Sequence, residues 1–200
     1  MRNVFFAVTM VLSLAFYGCA STSVERIKSE ETVDLSGNWN DSDSRMVADK
    51  MIAQSLGEPW LNKFKSANKG KAPVVIVGTV NNLSHEHISV GTFVKNMERA
   101  LINSGEVEFV ATSVERGEVR EERKDQATRS SEETAKAEGE EVGADFMMKG
   151  SINSIIDKLE GKSVVYYQVN LELIDIRTNK KVWIGEEKIK KFVTRNRLGF

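Results

Sequence analysis

The sequence predicts an α+β fold, a small mixed β-sheet with flanking helices gathered in one domain. Three observations carry this. Residues 165–173 place Val165, Tyr167, Val169, Leu171 and Leu173 at odd positions, with polar Gln168, Asn170 and Glu172 between them. That period of two marks a strand with one buried and one wetter face. A short polar turn, Arg177-Thr178-Asn179-Lys180, separates this run from Lys181-Val182-Trp183-Ile184-Gly185, so residues 164–193 read as an antiparallel hairpin. Upstream, candidate strands alternate with helical patterns, which favours parallel pairing and makes the whole sheet mixed.

The elements follow in order. Asp41 or Ser42 can cap a first helix whose apolar positions are Met46-Val47, Met51-Ile52 and Leu56, closed by Gly57. Glu58-Pro59-Trp60 starts a second, short helix containing Leu61 and Phe64. Residues 73–80 are apolar on both faces, as in a central strand covered on each side. A polar loop, residues 81–87, leads to a helix with Val90, Val94, Met97 and Leu101 on one stripe and Phe93 beside it. Gly105 ends that helix, and residues 107–111 form a short strand. Residues 115–141 are densely charged with few large apolar side chains, which predicts solvated helix broken near 126–131. Ser130 and Glu133 have capping-box spacing there. Residues 146–152 give one more strand before the hairpin.

The N-terminus points outside the cytoplasm. Arg2 precedes an apolar run, residues 4–17, which is short for a membrane span and suits a secretory signal. Cys19 is the only cysteine, so no internal disulfide is available. Phe16-Tyr17-Gly18-Cys19 resembles a bacterial lipobox, in which the cysteine is acylated and becomes the first mature residue; an ordinary secretory peptide with an incidental cysteine is the alternative. Each buried acyl methylene contributes about 0.8 kcal/mol to membrane attachment. Ala20 stands where an aspartate would favour the inner membrane in enteric bacteria, so the resemblance implies the periplasmic face of the outer membrane. The expected organisation is a signal peptide at 1–18, a lipidated tether at 19–41 and a globular domain at 42–200. The tether's residues 20–40 span at most about 75 Å at about 3.5 Å each.

The chain carries 28 basic against 29 acidic side chains, without the basic excess of a nucleic-acid binder. His85 and His87 are the only histidines, too few with one cysteine for a zinc site. No nucleophile elbow, phosphate-binding loop or dinucleotide turn occurs. No enzyme, no metal and no cofactor is expected. Trp183 reads as core, with an exposed binding anchor as the alternative. The basic carboxyl end (Lys180, Lys181, Lys188, Lys190, Lys191, Arg195, Arg197) reads as protection of an edge strand, or else as a patch for an anionic partner.

Several segments in this order resemble the LpoB family of penicillin-binding-protein activators: Val80-Asn81-Asn82, residues 98–110 (Glu-Arg-Ala-Leu-Ile-Asn-Ser-Gly-Glu-Val-Glu-Phe-Val), residues 142–146, residues 168–173, and residues 178–185. With the lipobox, the resemblance covers most of residues 46–188. It implies an outer-membrane lipoprotein that binds and stimulates a class A penicillin-binding protein, and a domain similar to the amino-terminal domain of TolB. The chain departs from the family pattern in its short tether, with no proline before Pro59, and in its charged residues 115–141. The contact surface implied by polarity and position is Asn81, Asn82, Gln168, Asn170, Glu172, Arg177, Asn179 and Lys180, presented by a monomer. Two other readings stand beside this one. An assembly or export lipoprotein with a CsgG-like domain would need amphipathic pore-forming segments, and a periplasmic ligand-binding module would need a large apolar pocket.

Overall fold

The computed structural model describes residues 22–131 and 141–194. The chain divides into two units, residues 1–31 and 32–200. In the first, residues 22–31 are exposed and close one turn, Glu31 N donating to Lys28 O at 3.1 Å. No helix among the described residues is long and apolar enough to cross a membrane.

Among its described residues the second unit contains four helices: α1 (Asp41–Leu56), α2 (Pro59–Ala67), α3 (Val90–Ser104) and α4 (Ser113–Arg129). Its strands are β1 (Val74–Leu83), β2 (Glu108–Phe109), β3 (Phe146–Leu159), β4 (Lys162–Asp175) and β5 (Lys181–Thr194). They form one sheet in the order β2-β1-β3-β4-β5. β1 runs parallel to β2 and β3, while β3, β4 and β5 are antiparallel in turn, so the sheet is mixed as expected.

Local chemistry explains the helix boundaries. α1 begins one residue earlier than its sequence suggests, because extended Asn40 puts Asp43 at the third helical position and forms a reciprocal box. Asp43 N donates to Asn40 Oδ1 at 3.0 Å, and Asn40 N donates to Asp43 Oδ2 at 3.0 Å. α2 starts on Pro59, whose missing N–H costs nothing at the first turn. α3 stops at Gly105, whose φ of 67° is a left-handed cap. α4 buries no residue at all. Arg116, Arg120 and Arg123, spaced along one side of it, converge instead on Glu141, with Arg120 Nη2 at 2.7 Å. Glu133, half of the expected capping box, lies outside the described residues.

The core lies between the sheet and α1, α2 and α3. Tyr167, Leu171, Leu173, Met148, Ile152, Met51, Phe93 and Met97 are fully buried in it. Burying each such side chain contributes about 1.5–3 kcal/mol. Trp183 is buried too, its indole lying over Gly185, where an added Cβ would sit 2.2 Å from Trp183 Cζ2.

Register decides which side chains share a face. β1 shifts between Val77, opposite Met148, and Val80, opposite Gly150. The extra residue changes parity, so Val75, Val77 and Val80 all reach the core. Asn81 and Asn82 therefore belong to the strand, not to the loop the sequence suggests. β3 also runs well past the expected residue 152, to Leu159, while β5 ends at Thr194, one residue beyond the expected hairpin. A two-residue turn joins β3 to β4, with φ of 43° at Glu160 and 79° at Gly161, the hand that matches strand twist.

Candidate functional site

The odd residues of β4 face the core, so the even ones, Val164 to Ile174, face the other way. Every helix that touches the sheet does so on the core side: Lys50 and Asp43 of α1 reach Glu187 and Lys191, and Trp60 and Phe64 of α2 stack on Phe146. Among the described residues the second face is open. Its rows are set by register. Glu172 lies between Lys149 and Ile184, Asn170 between Ser151 and Glu186, and Gln168 between Asn153 and Lys188. Farther along, Tyr166 lies between Ile155 and Lys190, and Val164 between Asp157 and Phe192. Leu83, Ile155, Ile184 and Phe192 are largely exposed on this face, an uncommon outlay of apolar surface.

Of the residues singled out by polarity, Asn81, Gln168, Asn170 and Glu172 come together on the open face. Gln168 Nε2 donates to Asn170 Oδ1 at 3.2 Å and Tyr166 Oη donates to Gln168 Oε1 at 3.2 Å, which orients the row. Glu172 pairs with Lys181 across to β5. Asn82 does not join them. It points to the core side, where its Nδ2 donates to Glu86 O and its Oδ1 accepts from Ser84, bracing the following loop. Arg177, Asn179 and Lys180 lie exposed on the β4–β5 turn. That turn is held by Asp175, whose Oδ1 accepts from Thr178 N at 2.8 Å, with Asn179 left-handed at φ 58°. Burial opposes the charged form of Asp175, but Thr178 and Arg177 outweigh it and hold the carboxyl below its ordinary value. Beside the turn lies a groove of about 810 Å3 whose lining includes Trp60, Phe64, Phe146, Ile176, Arg177 and Val182.

The core side carries a polar cluster that sequence reading missed. Residues 34–40, within the span expected to be tether, are strapped onto the sheet. Lys191 Nζ donates to Asp34 Oδ1 at 2.7 Å, Asp43 Oδ2 at 2.6 Å and Asn38 O at 3.1 Å. The two carboxylates outweigh burial and raise the Lys191 ammonium above its ordinary value, while Lys191 lowers Asp34. The Tyr167 hydroxyl stands between Gly37 O at 2.9 Å and the Glu86 carboxylate, and burial together with Glu86 pushes the phenol up. Trp39 N donates to Glu86 Oε2 at 3.1 Å, and its ring meets Tyr167 edge-on with centroids 5.4 Å apart. Gly37 is required here, since a Cβ would come within 2.4 Å of Val193 Cγ2.

Three of the five described basic residues of the carboxyl end form ion pairs. Lys181 takes Glu172, Lys188 takes Glu186, and Lys191 takes the two aspartates. Arg195, Arg197 and Cys19 lie outside the described residues. His85 Nδ1 sits 3.1 Å from Ser154 Oγ. Among the described residues no group of three or more His, Cys, Asp or Glu could hold a metal ion.

Comparison with known proteins gives a family match and several similar solved structures. The family model described as peptidoglycan-synthase activator LpoB matches residues 43–189, from the first turn of α1 nearly to the end of β5. No curated protein matches. Among solved structures, the LpoB C-terminal domain from Escherichia coli is 16% identical, covering 74% of this chain and 99% of that one at a TM-score of 0.46. The NMR structure of E. coli LpoB is 14% identical, covering 90% and 85% at 0.43. Lipoprotein GNA1162 from Neisseria meningitidis is 13% identical, covering 63% and 88% at 0.39.

Proposed function

The chain belongs to the LpoB family of peptidoglycan-synthase activators, and from that premise we propose that it binds and activates a class A penicillin-binding protein from the periplasmic face of the outer membrane. The family match over residues 43–189 carries this reading, because it takes in β1 to β4 whole and most of β5. Acylated Cys19 anchors the chain, residues beyond it form the tether, and one copy of the domain meets one synthase. Activation is a matter of binding, not catalysis. The domain raises the population of an active synthase conformation by holding that conformation more tightly than the resting one. A tenfold shift needs about 1.4 kcal/mol of differential affinity.

The open face supports this reading as the contact surface. Asn81, Gln168, Asn170 and Glu172 offer donors and acceptors on a stiff sheet, ringed by exposed Leu83, Ile155, Ile184 and Phe192. Exposed apolar side chains beside oriented donors and acceptors supply both ingredients of a specific interface. Arg177, Asn179 and Lys180 extend it at the turn, whereas Asn82 acts by shaping the loop behind it.

The test uses the acylated full-length chain with each class A synthase of its own organism, measuring binding and the rate of glycan polymerisation and cross-linking. Association and a faster rate are expected, with both weakened by Asn170→Arg. Neither association nor acceleration with any such synthase would overturn the proposal. Mass spectrometry of the mature chain checks the anchor, and Cys19→Ser should release it from the outer-membrane fraction.

A further inference from the structure

We infer that the groove between α2 and the β4–β5 turn takes an acidic peptide segment carrying one bulky apolar side chain. This rests on the activator reading and names the chemistry the synthase presents there. The floor is aromatic. Trp60 and Phe64 both meet Phe146 edge-on, with ring centroids 5.1 Å and 5.4 Å apart, and Trp60 Nε1 is satisfied by Ser55 O at 2.7 Å. The groove therefore asks its occupant for an apolar group and not for an acceptor at the indole. At the mouth Ile176 and Val182 are substantially exposed, although each is apolar.

The charges around the groove are unequal in availability. Its carboxylates are committed to the fold. Asp145 Oδ2 accepts from Val74 N at 2.9 Å, and Asp175 holds the turn through Thr178. Its cations are more open. Lys63 and Arg177 are exposed and, among the described residues, neither comes within ion-pair distance of a carboxylate. Lys181 shares its charge with Glu172 at the edge of the open face. An apolar slot lined by exposed Lys63 from α2 and exposed Arg177 from the turn favours a carboxylate beside an inserted side chain, and it repels a basic segment. A groove of about 810 Å3 has room for more than one side chain. The groove adjoins the turn that bears Arg177, Asn179 and Lys180, so one partner can cover both.

Fluorescence polarisation of a labelled Glu-Asp-Leu-Phe-Glu-Glu peptide against the full-length chain in detergent tests this. The expected result is saturable binding that weakens with salt, falls at least tenfold in Lys63→Glu/Arg177→Glu, and is absent for the same peptide with lysines for its acids. Both substitutions are at exposed positions, and circular dichroism confirms that the variant folds. No binding to the wild-type chain, equal binding to the variant, or preference for soluble glycan fragments over the peptide would overturn the inference. The synthase separates the two proposals. If it binds the double variant as well as wild type, the groove fails and the activator reading stands. If the peptide binds in the groove but no synthase binds the chain, the activator reading fails instead.

Discussion

The two faces of β4 come from the same fourteen residues and behave as opposite materials. Its odd positions, Val165 to Leu173, disappear into a core made with α1 and α3. Its even positions, Val164 to Ile174, point the other way and keep part of their surface exposed. On the proposed reading, stability and recognition fall to alternate residues of one strand. A substitution on one face should leave the other property almost untouched, and this separation can be attacked directly.

The largest effect belongs to the core face. Leu171→Ala removes a fully buried side chain between Gly150 and Gly185, neither of which can fill the space. It should cost about 2–5 kcal/mol in urea unfolding, while any synthase binding by the folded fraction keeps its wild-type affinity. A loss of affinity with full stability would break the comparison.

An intermediate effect belongs to the strap. Lys191→Met leaves the buried Asp43 carboxylate without its cation and should cost about 1–3 kcal/mol. The same link gives a pH signature. Asp34 titrates below its ordinary 3.8, so its contribution is full above that value and disappears as acid takes the pH through the lowered one. Lys191 titrates above its ordinary 10.5, so its share is full below 10.5 and disappears as pH climbs past the raised value. The Trp39 indole resonance should therefore hold constant between these limits and move outside them. A transition near pH 7 would show that another group governs the strap.

The smallest effect on stability belongs to the open face. Gln168→Ala and Asn170→Ala should change unfolding by less than about 0.5 kcal/mol, yet weaken the synthase. If they destabilise the fold as Leu171→Ala does, the two faces are not separable after all.

The sequence displays the first face and only part of the second. Period-two alternation at 165–173 reveals the core row because burial selects apolar residues one by one. It is silent about what covers the other side, which depends on helices placed elsewhere in the chain. β3's extension to Leu159 was hidden by Asp157, Lys158 and Glu160, whose charges are tolerated because that end of the hairpin is solvated. The bulge at Val77–Val80 moved Asn82 behind the sheet, since one extra residue inverts parity and nothing in Val-Gly-Thr-Val announces it. The groove draws on three distant segments, so no local pattern could disclose it. Lys191 looked like one more edge lysine until Asp34 and Asp43 were brought to it.

That strap determines how the domain meets a load. A pull along the tether arrives first at the Asp34–Lys191 pair, then at Gly37 and Trp39, and only afterwards at the first turn of α1. Under the proposed acylation of Cys19, an intact strap limits the fully extended reach of residues 20–33 to about 50 Å at about 3.5 Å each. Slipping it adds residues 34–40, about 25 Å more, without unwinding a helix. The same few side chains thus act as a spring clip that trades grip for reach.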